Sequence, residues 1–262
     1  MCGGLKTSAT VIIKGYPPAV GQEALTPKDL KKKFLYNQDI MKTLVCTATS
    51  SELMGIFPSI SLSDIENAGT GFEKKGLFFL KTGIGVLNTY ASLVRFHLNT
   101  PVDRVLQIGI AGAYTGARED VKVLGTPVII GKEVVADLGA EDSGSFLTLG
   151  DLGLGELEYY ESRCVPVFDD LFGDSLKYLP VVSGASVNMA TGKDGTGIIR
   201  AEKYGVEVES MEGAGALKFG KDFGVPVLQI RSISNIATTR NRESWDIASA
   251  LKSLRNLCGV LL

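Results

Sequence analysis

Along most of this chain, short apolar runs of strand type alternate with stretches whose apolar residues recur at helical spacing. The strand candidates are Leu44 to Thr49, Leu77 to Lys81, Val105 to Ile110, Val128 to Ala136, Leu179 to Ser183, Val206 to Glu209 and Val227 to Ile233. The helix candidates are Val86 to Leu98, Gly197 to Tyr204, Glu212 to Phe223 and Ser244 to Leu257. In the first of these, Leu87, Ala91, Val94 and Leu98 form a stripe; in the last, Ser244 is placed as N-cap, with Ile247, Leu251, Leu254 and Cys258 on one face. Such alternation marks a layered α/β domain. No internal repeat or low-complexity tract interrupts it.

Residues 1–40 follow a different pattern. They carry Gly3-Gly4, Pro17-Pro18, Pro27 and a basic cluster at Lys28 and Lys31 to Lys33, with only Val11 to Ile13 as a strand-like fragment. They lack the charged n-region and apolar h-region of a signal peptide. The first buried strand begins abruptly at Met41. The expectation is therefore a leader, residues 1–40, that is either a non-native start or a loosely packed extension, followed by a catalytic domain at 41–262.

Composition narrows the function. At 262 residues, 45% hydrophobic and 21% charged, the chain suits one sizeable domain. Its net charge of -2 leaves no electrostatic footprint for nucleic acid or for an anionic membrane, and no apolar run is long enough to span a bilayer. The cysteines Cys2, Cys46, Cys164 and Cys258 are scattered without a C-x-x-C pair, which reads as a reducing, cytoplasmic setting. A single histidine, His97, excludes a zinc site of several histidines, and a Ser-His-Asp triad could be built only around that residue. His97 itself reads as structural or superficial on its helix. Acid-base chemistry must rest on carboxylates, amides and water.

Two segments concentrate such groups. Val208 to Ala214 and Arg231 to Asn235 each follow an apolar run with a polar side chain where the chain is expected to leave the sheet, and open α/β sheets place ligand chemistry there. Glu212 offers a carboxylate that can clamp a sugar diol. Asn235 offers an amide that donates and accepts, and so matches the edge of an oxidised purine. Taken as residues alone, each has a plainer alternative: Asn235 as a turn cap, Glu52 as a surface glutamate opening a loop, and Met211 and Phe146, equally, as ordinary core. Gly83-Ile84-Gly85 lacks the third glycine of a dinucleotide loop, since Asn88 stands there, and is read as a tight strand-to-helix turn.

Six motifs in order resemble the purine nucleoside phosphorylase and nucleosidase superfamily. They are Thr47 to Glu52, Thr82 to Asn88, Gly109 to Ala113, Ala136 to Asp142, Glu209 to Ala214, and Arg231 to Asn235 followed by Arg240 to Trp245. The likeness runs from Met41 to the end of the chain. It implies an α/β fold of three layers, with a central twisted mixed β-sheet flanked by helices, and hydrolysis of a nucleoside N-glycosidic bond without metal or organic cofactor. It implies, too, a homo-oligomer, dimer or larger, acting on a small nucleoside.

Residue roles follow from the same resemblance. Glu212 matches the glutamate that binds the ribose hydroxyls, Met211 the methionine packed on sugar and base, and Glu52 the glutamate that activates the attacking water. Asn235 stands where adenine-specific members carry an aspartate, which favours hypoxanthine as the base. The superfamily's phosphorylases place an arginine and a hydroxyl residue at the positions of Gln107 and Ile110, so water is the expected nucleophile. Thr191 and Gly192 match backbone lining the base, although Lys193-Asp194-Gly195 departs from the aromatic-bearing pattern. Phe146 is a candidate wall for the base or the 5′ substituent. Arg240 and Arg242 are either solvated loop arginines or partners for a carboxylate carried on a carboxyphenyl chain at the 5′ end of inosine. The rival readings are a methylthioadenosine or S-adenosylhomocysteine nucleosidase, and a storage or binding protein on the same fold.

Overall fold

Eleven strands and seven α-helices follow one another along the described residues, 41–67, 71–155, 158–162 and 165–262 of a computed structural model. The first half runs β1 (Thr43–Thr47), α1 (Ser50–Ile56), α2 (Leu62–Asn67), β2 (Phe72–Lys74), β3 (Leu77–Lys81), α3 (Val86–Asn99) and β4 (Arg104–Tyr114). After it come β5 (Pro127–Val135), the β6 (Gly139–Asp142) and β7 (Ser145–Thr148) hairpin, β8 (Tyr159–Glu161) and the single turn α4 (Asp169–Phe172). The chain closes with β9 (Val181–Ser186), α5 (Asp194–Tyr204), β10 (Val208–Ser210), α6 (Gly213–Phe223), β11 (Val227–Ala237) and α7 (Ile247–Cys258). All of this lies within one unit, Gln38–Leu262. The expected leader, residues 1–40, lies outside the described residues.

The nine-stranded main sheet has the order β10-β9-β5-β11-β4-β1-β3-β2, with β8 on β5, and it mixes parallel and antiparallel pairs. The mixed α/β arrangement is as expected, but the expected central sheet of the three layers closes partly on itself. A further antiparallel pairing of Val208 with Ala113 and Glu209 with Gly112 joins β10 back to β4, so β4, β11, β5, β9 and β10 close into a ring. The irregularities that allow this are local. Register shifts occur in β11 between Ile233 and Asn235 and in β5 between Ile130 and Lys132, and bulges of this kind bend a strand and sharpen its twist. Small apolar side chains drawn from all five ring strands, among them Ala111, Val128, Val182, Val208 and Ile233, pack together, as suits a narrow closure.

Outside the ring, alternation along the strands sends side chains to two helical layers. Val45, Leu106, Ile108 and Ile230 pack with Leu53 and Ile56 of α1 and Leu254 and Cys258 of α7. On the opposite face Leu44, Cys46, Val105 and Val227 meet Leu93 and Phe96 of α3 and Leu217 and Phe219 of α6. Arg104, buried in β4, anchors the segment around α4: its guanidinium donates to both oxygens of Asp170, and Nε donates to Thr43 Oγ1 at 2.7 Å.

Two helices differ from their predicted faces. In α3 the buried residues are Thr89, Leu93, Phe96 and His97, whereas Leu87 and Leu98 are exposed. The phase is set by α6: His97 packs edge-on against Phe219 and Phe223, and its Nδ1 accepts from Val102 N at 3.2 Å. In α7 the N-cap is Asp246, whose carboxylate accepts from Ser249 N at 2.8 Å, and Ser244 instead ends a short 3₁₀ turn. Ile247 is consequently exposed. Cys46 and Cys258 are buried free thiols, each pushed up to about 12 by burial. Among the described residues no helix is long and apolar enough to cross a membrane.

Candidate active site

The site is built on one face of β4 and β11. From Val105 to Ala111 the register with β11 is unbroken, so Gln107 and Gly109 share a face with their partners Gln229 and Arg231, and Ile110 points the other way. Arg231 is fully buried, and its Nη1 donates to Glu212 Oε2 at 3.3 Å and to the Ile110 carbonyl at 3.4 Å. Glu52 reaches the same place from α1. Its Oε1 accepts from Ile110 N at 3.1 Å, while Oε2 accepts from the backbone and hydroxyl of Thr49 at 3.1 and 3.0 Å. A Cβ on residue 109 would lie 2.6 Å from Arg231 Nη1 and 2.7 Å from Glu52 Oε1, so only glycine admits both groups.

Thr49 and Glu52 form a capping box, each satisfying the other's backbone N–H. Glu52 is thus a buried residue in the first turn of a helix, not the end of the first strand segment, and the alternative of a surface glutamate opening a loop falls away. Burial pushes its carboxyl above the ordinary range and Glu212 adds to that, whereas Arg231 and the hydrogen bonds from Ile110 and Thr49 pull it down.

Glu212 is the N-cap residue of α6, as the sequence suggested, but its side chain makes no cap hydrogen bond. Its carboxylate turns instead to Gly85 N and Met211 N, both at 3.3 Å, and to Arg231. The Gly83 to Gly85 turn, with positive φ at both glycines, brings that amide in.

Asn235 does not stand where the chain leaves the sheet. β11 continues to Ala237, and past its bulge Asn235 pairs with Gly112, beside Glu209 on the far side of β4. Ser234 Oγ lies 2.8 Å from Asn235 Oδ1 and 3.2 Å from the Ala111 carbonyl, so its one proton has two acceptors. Met211 and Phe146 pack on one apolar cluster with Tyr114, Ala185 and Val187. The Thr191 side chain is committed: its hydroxyl donates to Glu209 at 2.6 Å and its amide at 2.8 Å, in a buried network with Tyr114 and Arg200. Gly192 accepts from Arg240 N at 3.3 Å, and the Arg240 guanidinium sits over Trp245. Arg242 is exposed in the following turn.

Arg231 of the site, although within the Arg231 to Asn235 motif, and Glu133 of β5 carry no role in the sequence reading. Glu133, in the middle of an apolar run, is fully buried and accepts from Ser186 Oγ at 2.7 Å and from Gln229 Nε2. Burial pushes its carboxyl up, opposed by Arg231 and by these donors. A carboxylate inside an expected buried strand was the available signal.

The architecture is that of the nucleosidases. It matches the structure of a futalosine hydrolase mutant of Helicobacter pylori with a TM-score of 0.64 and 19% identity, over 85% of this chain and 97% of that one. The methylthioadenosine/S-adenosylhomocysteine nucleosidase of Streptococcus pneumoniae, in complex with 8-aminoadenine, matches at 0.62 and 20% identity, over 84% and 97%. No family model matches the chain. Sequence relatives are more particular: the futalosine hydrolase of Thermus thermophilus is 31% identical over 189 residues, 71% of this chain and 81% of the relative. That of Streptomyces coelicolor is 29% identical over 232 residues, 84% and 95%. The chain belongs to the futalosine hydrolase family.

Proposed function

We propose that this protein hydrolyses the N-glycosidic bond of futalosine, giving hypoxanthine and dehypoxanthine futalosine, a step of menaquinone biosynthesis. The observation that carries the reading is the approach of Glu52 and Glu212 to one buried guanidinium, Arg231, at the Ile110 backbone. Cleavage leaves positive charge on the ribose. Glu212 stabilises that charge while binding the ribose hydroxyls, and Glu52 holds a water and takes its proton as the water attacks the anomeric carbon. A base whose carboxyl is raised by burial is better matched to neutral pH than an exposed one. The reaction needs water alone, and neither Ile110 nor Gln107 supplies the charge that a phosphate nucleophile requires.

Asn235 assists the departing base. When the Ser234 proton turns to the Ala111 carbonyl, Oδ1 is freed to accept from a purine N7–H while Nδ2 donates to O6. Adenine presents a donor at position 6 and mismatches this amide, which weighs against a methylthioadenosine or S-adenosylhomocysteine substrate. Met211 and Phe146 wall the sugar and base, the backbone at Thr191 and Gly192 lines the base, and Arg240 and Arg242 receive the 5′ carboxylate. A homo-oligomer, dimer or larger, is the proposed working form.

Mixing the protein with futalosine and following hypoxanthine by chromatography tests this reading. Release is expected at the same rate with and without phosphate. Phosphate dependence would replace water as nucleophile, and adenine release from methylthioadenosine without hypoxanthine release from futalosine would overturn the substrate.

A further inference from the structure

Beneath the N-terminus of α6 lies a buried polar cluster that does not reach the reacting atoms. Glu133 of β5 receives Ser186 Oγ from β9 at 2.7 Å, Ser210 Oγ from β10 at 3.4 Å, and Gln229 Nε2 from β11. Ser186 Oγ in turn accepts from Ala214 N at 2.8 Å, in the first turn of α6. The Ala214 N–H can only donate, so Ser186 Oγ accepts from it and keeps its own proton to donate to the Glu133 carboxylate.

The first N–H groups of a helix need acceptors, and the N-cap side chain ordinarily supplies one. Here Glu212 does not, because its carboxylate is turned towards Gly85, Met211 and Arg231. Those contacts are all 3.3 Å, at the long end of hydrogen-bond distances, so they alone hold the carboxylate loosely. A cap delivered from another strand is what allows Glu212 to face the site. The fit is close: a Cβ on residue 213 would lie 2.2 Å from Glu133 Oε2 and 2.4 Å from Gln229 Oε1.

We propose that Glu133 is a positioning residue for Glu212, acting through the Ser186 hydroxyl, which caps α6 in place of the Glu212 side chain. The proposal rests on the reading that Glu212 binds the ribose hydroxyls. Glu133 is 1% exposed, and its hydrogen bonds run to Ser186, Ser210 and Gln229. Its effect belongs to the geometry of the sugar site, and removing it shifts the Glu212 backbone without altering the groups that attack or leave.

The test compares futalosine with its 2′-deoxy analogue, because a carboxylate that grips the ribose diol discriminates between the two. In Ser186→Ala and Glu133→Ala, the ratio of kcat/KM for the two substrates is expected to fall about tenfold from the unmodified enzyme's value, towards that of Glu212→Gln. Glu133→Gln is expected to stay within about threefold, since its amide oxygen still accepts from Ser186 and, once the Gln229 amide turns over, its NH₂ donates to Gln229 Oε1, a buried acceptor with no partner among the described residues. Leu254→Ala, in the helical layer opposite α6, lowers stability and leaves the ratio unchanged, which separates positioning from general destabilisation. If Glu133→Ala does not fold, Ser186→Ala and Glu133→Gln carry the comparison. An unchanged ratio in folded Ser186→Ala, with a collapsed one in Glu212→Gln, overturns the positioning role and leaves the ribose reading standing. An unchanged ratio in Glu212→Gln overturns the ribose reading, and this proposal with it.

Discussion

Arg231 and Glu212 form a buried ion pair at 3.3 Å, and the same Arg231 nitrogen reaches the Ile110 carbonyl, whose own amide is donated to Glu52. One backbone unit of β4 therefore relates the two carboxylates to each other. Loss of the guanidinium would leave Glu212 buried without its cation, a costly arrangement. Arg231→Lys keeps the charge and loses the planar fork, so kcat is expected to fall by about 10- to 100-fold while the chain still folds. Steady-state kinetics beside a thermal melt checks this.

Gly109→Ala tests how tightly the pair is set. The added methyl would stand 2.6 Å from Arg231 Nη1 and 2.7 Å from Glu52 Oε1, closer than non-bonded atoms allow. Both groups must move. Turnover is expected to fall by about 100-fold, with a destabilisation of about 1–3 kcal/mol from overpacking. A variant with normal turnover would mean that Glu52 has no part in the chemistry.

If Glu52 is the base proposed above, its carboxyl couples activity and stability in opposite senses. Its folded pKa is raised above 4.5, chiefly by burial. The folded state therefore binds its proton more tightly than the unfolded chain, so its contribution to stability is complete at acid pH and is lost as pH rises through the folded pKa. Glu52→Gln keeps an oxygen for Thr49 and removes the titration, but turns its NH₂ to the Ile110 N–H and loses that bond. The expected outcome is a smaller drop in Tm between pH 5 and pH 8 than in the unmodified protein, together with a kcat lower by about 100-fold or more. For the intact enzyme, the acid limb of kcat/KM should lie above pH 4.5, which a pH profile with futalosine would show.

The proposed roles of Arg240 and Arg242 allow recognition of the 5′ chain to be tested apart from the chemistry. Alanine at either position is expected to raise KM for futalosine and to leave inosine cleavage unchanged; equal effects on both substrates would reject the assignment. Because Arg240 N also donates to the Gly192 carbonyl, and its guanidinium sits over Trp245, Trp245→Ala is expected to raise the futalosine KM in the same direction.

Away from the site, Arg104→Ala removes the bonds that hold the α4 segment to β1 and β4. A loss of about 2–3 kcal/mol is expected, discounted because Asp170 is half exposed. Urea unfolding measures it, and kcat per folded molecule should not change.

Much of the fold was legible because its strands are apolar runs bounded by turn residues. β3 spans Leu77–Lys81 as expected, and α6 begins where Glu212 marks its entry. The phase of α3 was not legible. Thr89 and His97 are buried polar residues paired with Thr82 Oγ1 and Val102 N, and a pattern that counts only apolar side chains assigns them to the surface. The ring closure rests on two residue pairs between β10 and β4, which leave no periodic signature. Within the site, Glu52 and Glu212 were readable from their motifs. The helix carrying Glu52 was written plainly in Thr49-Ser50-Ser51-Glu52 as a capping box, and the strand reading passed over it. Asn235 was misplaced because a bulge lets β11 run on past a residue that looks like its terminus.

The seam between β10 and β4 also has a dynamic consequence. A sheet joined along one edge by two rungs parts there at the lowest cost, and β10 carries Glu209 directly while leading into Glu212. Hydrogen exchange at the Tyr114 amide, which donates to the Glu207 carbonyl across that edge, is then a clock for each momentary unzipping that displaces Glu212, the carboxylate proposed to grip the sugar.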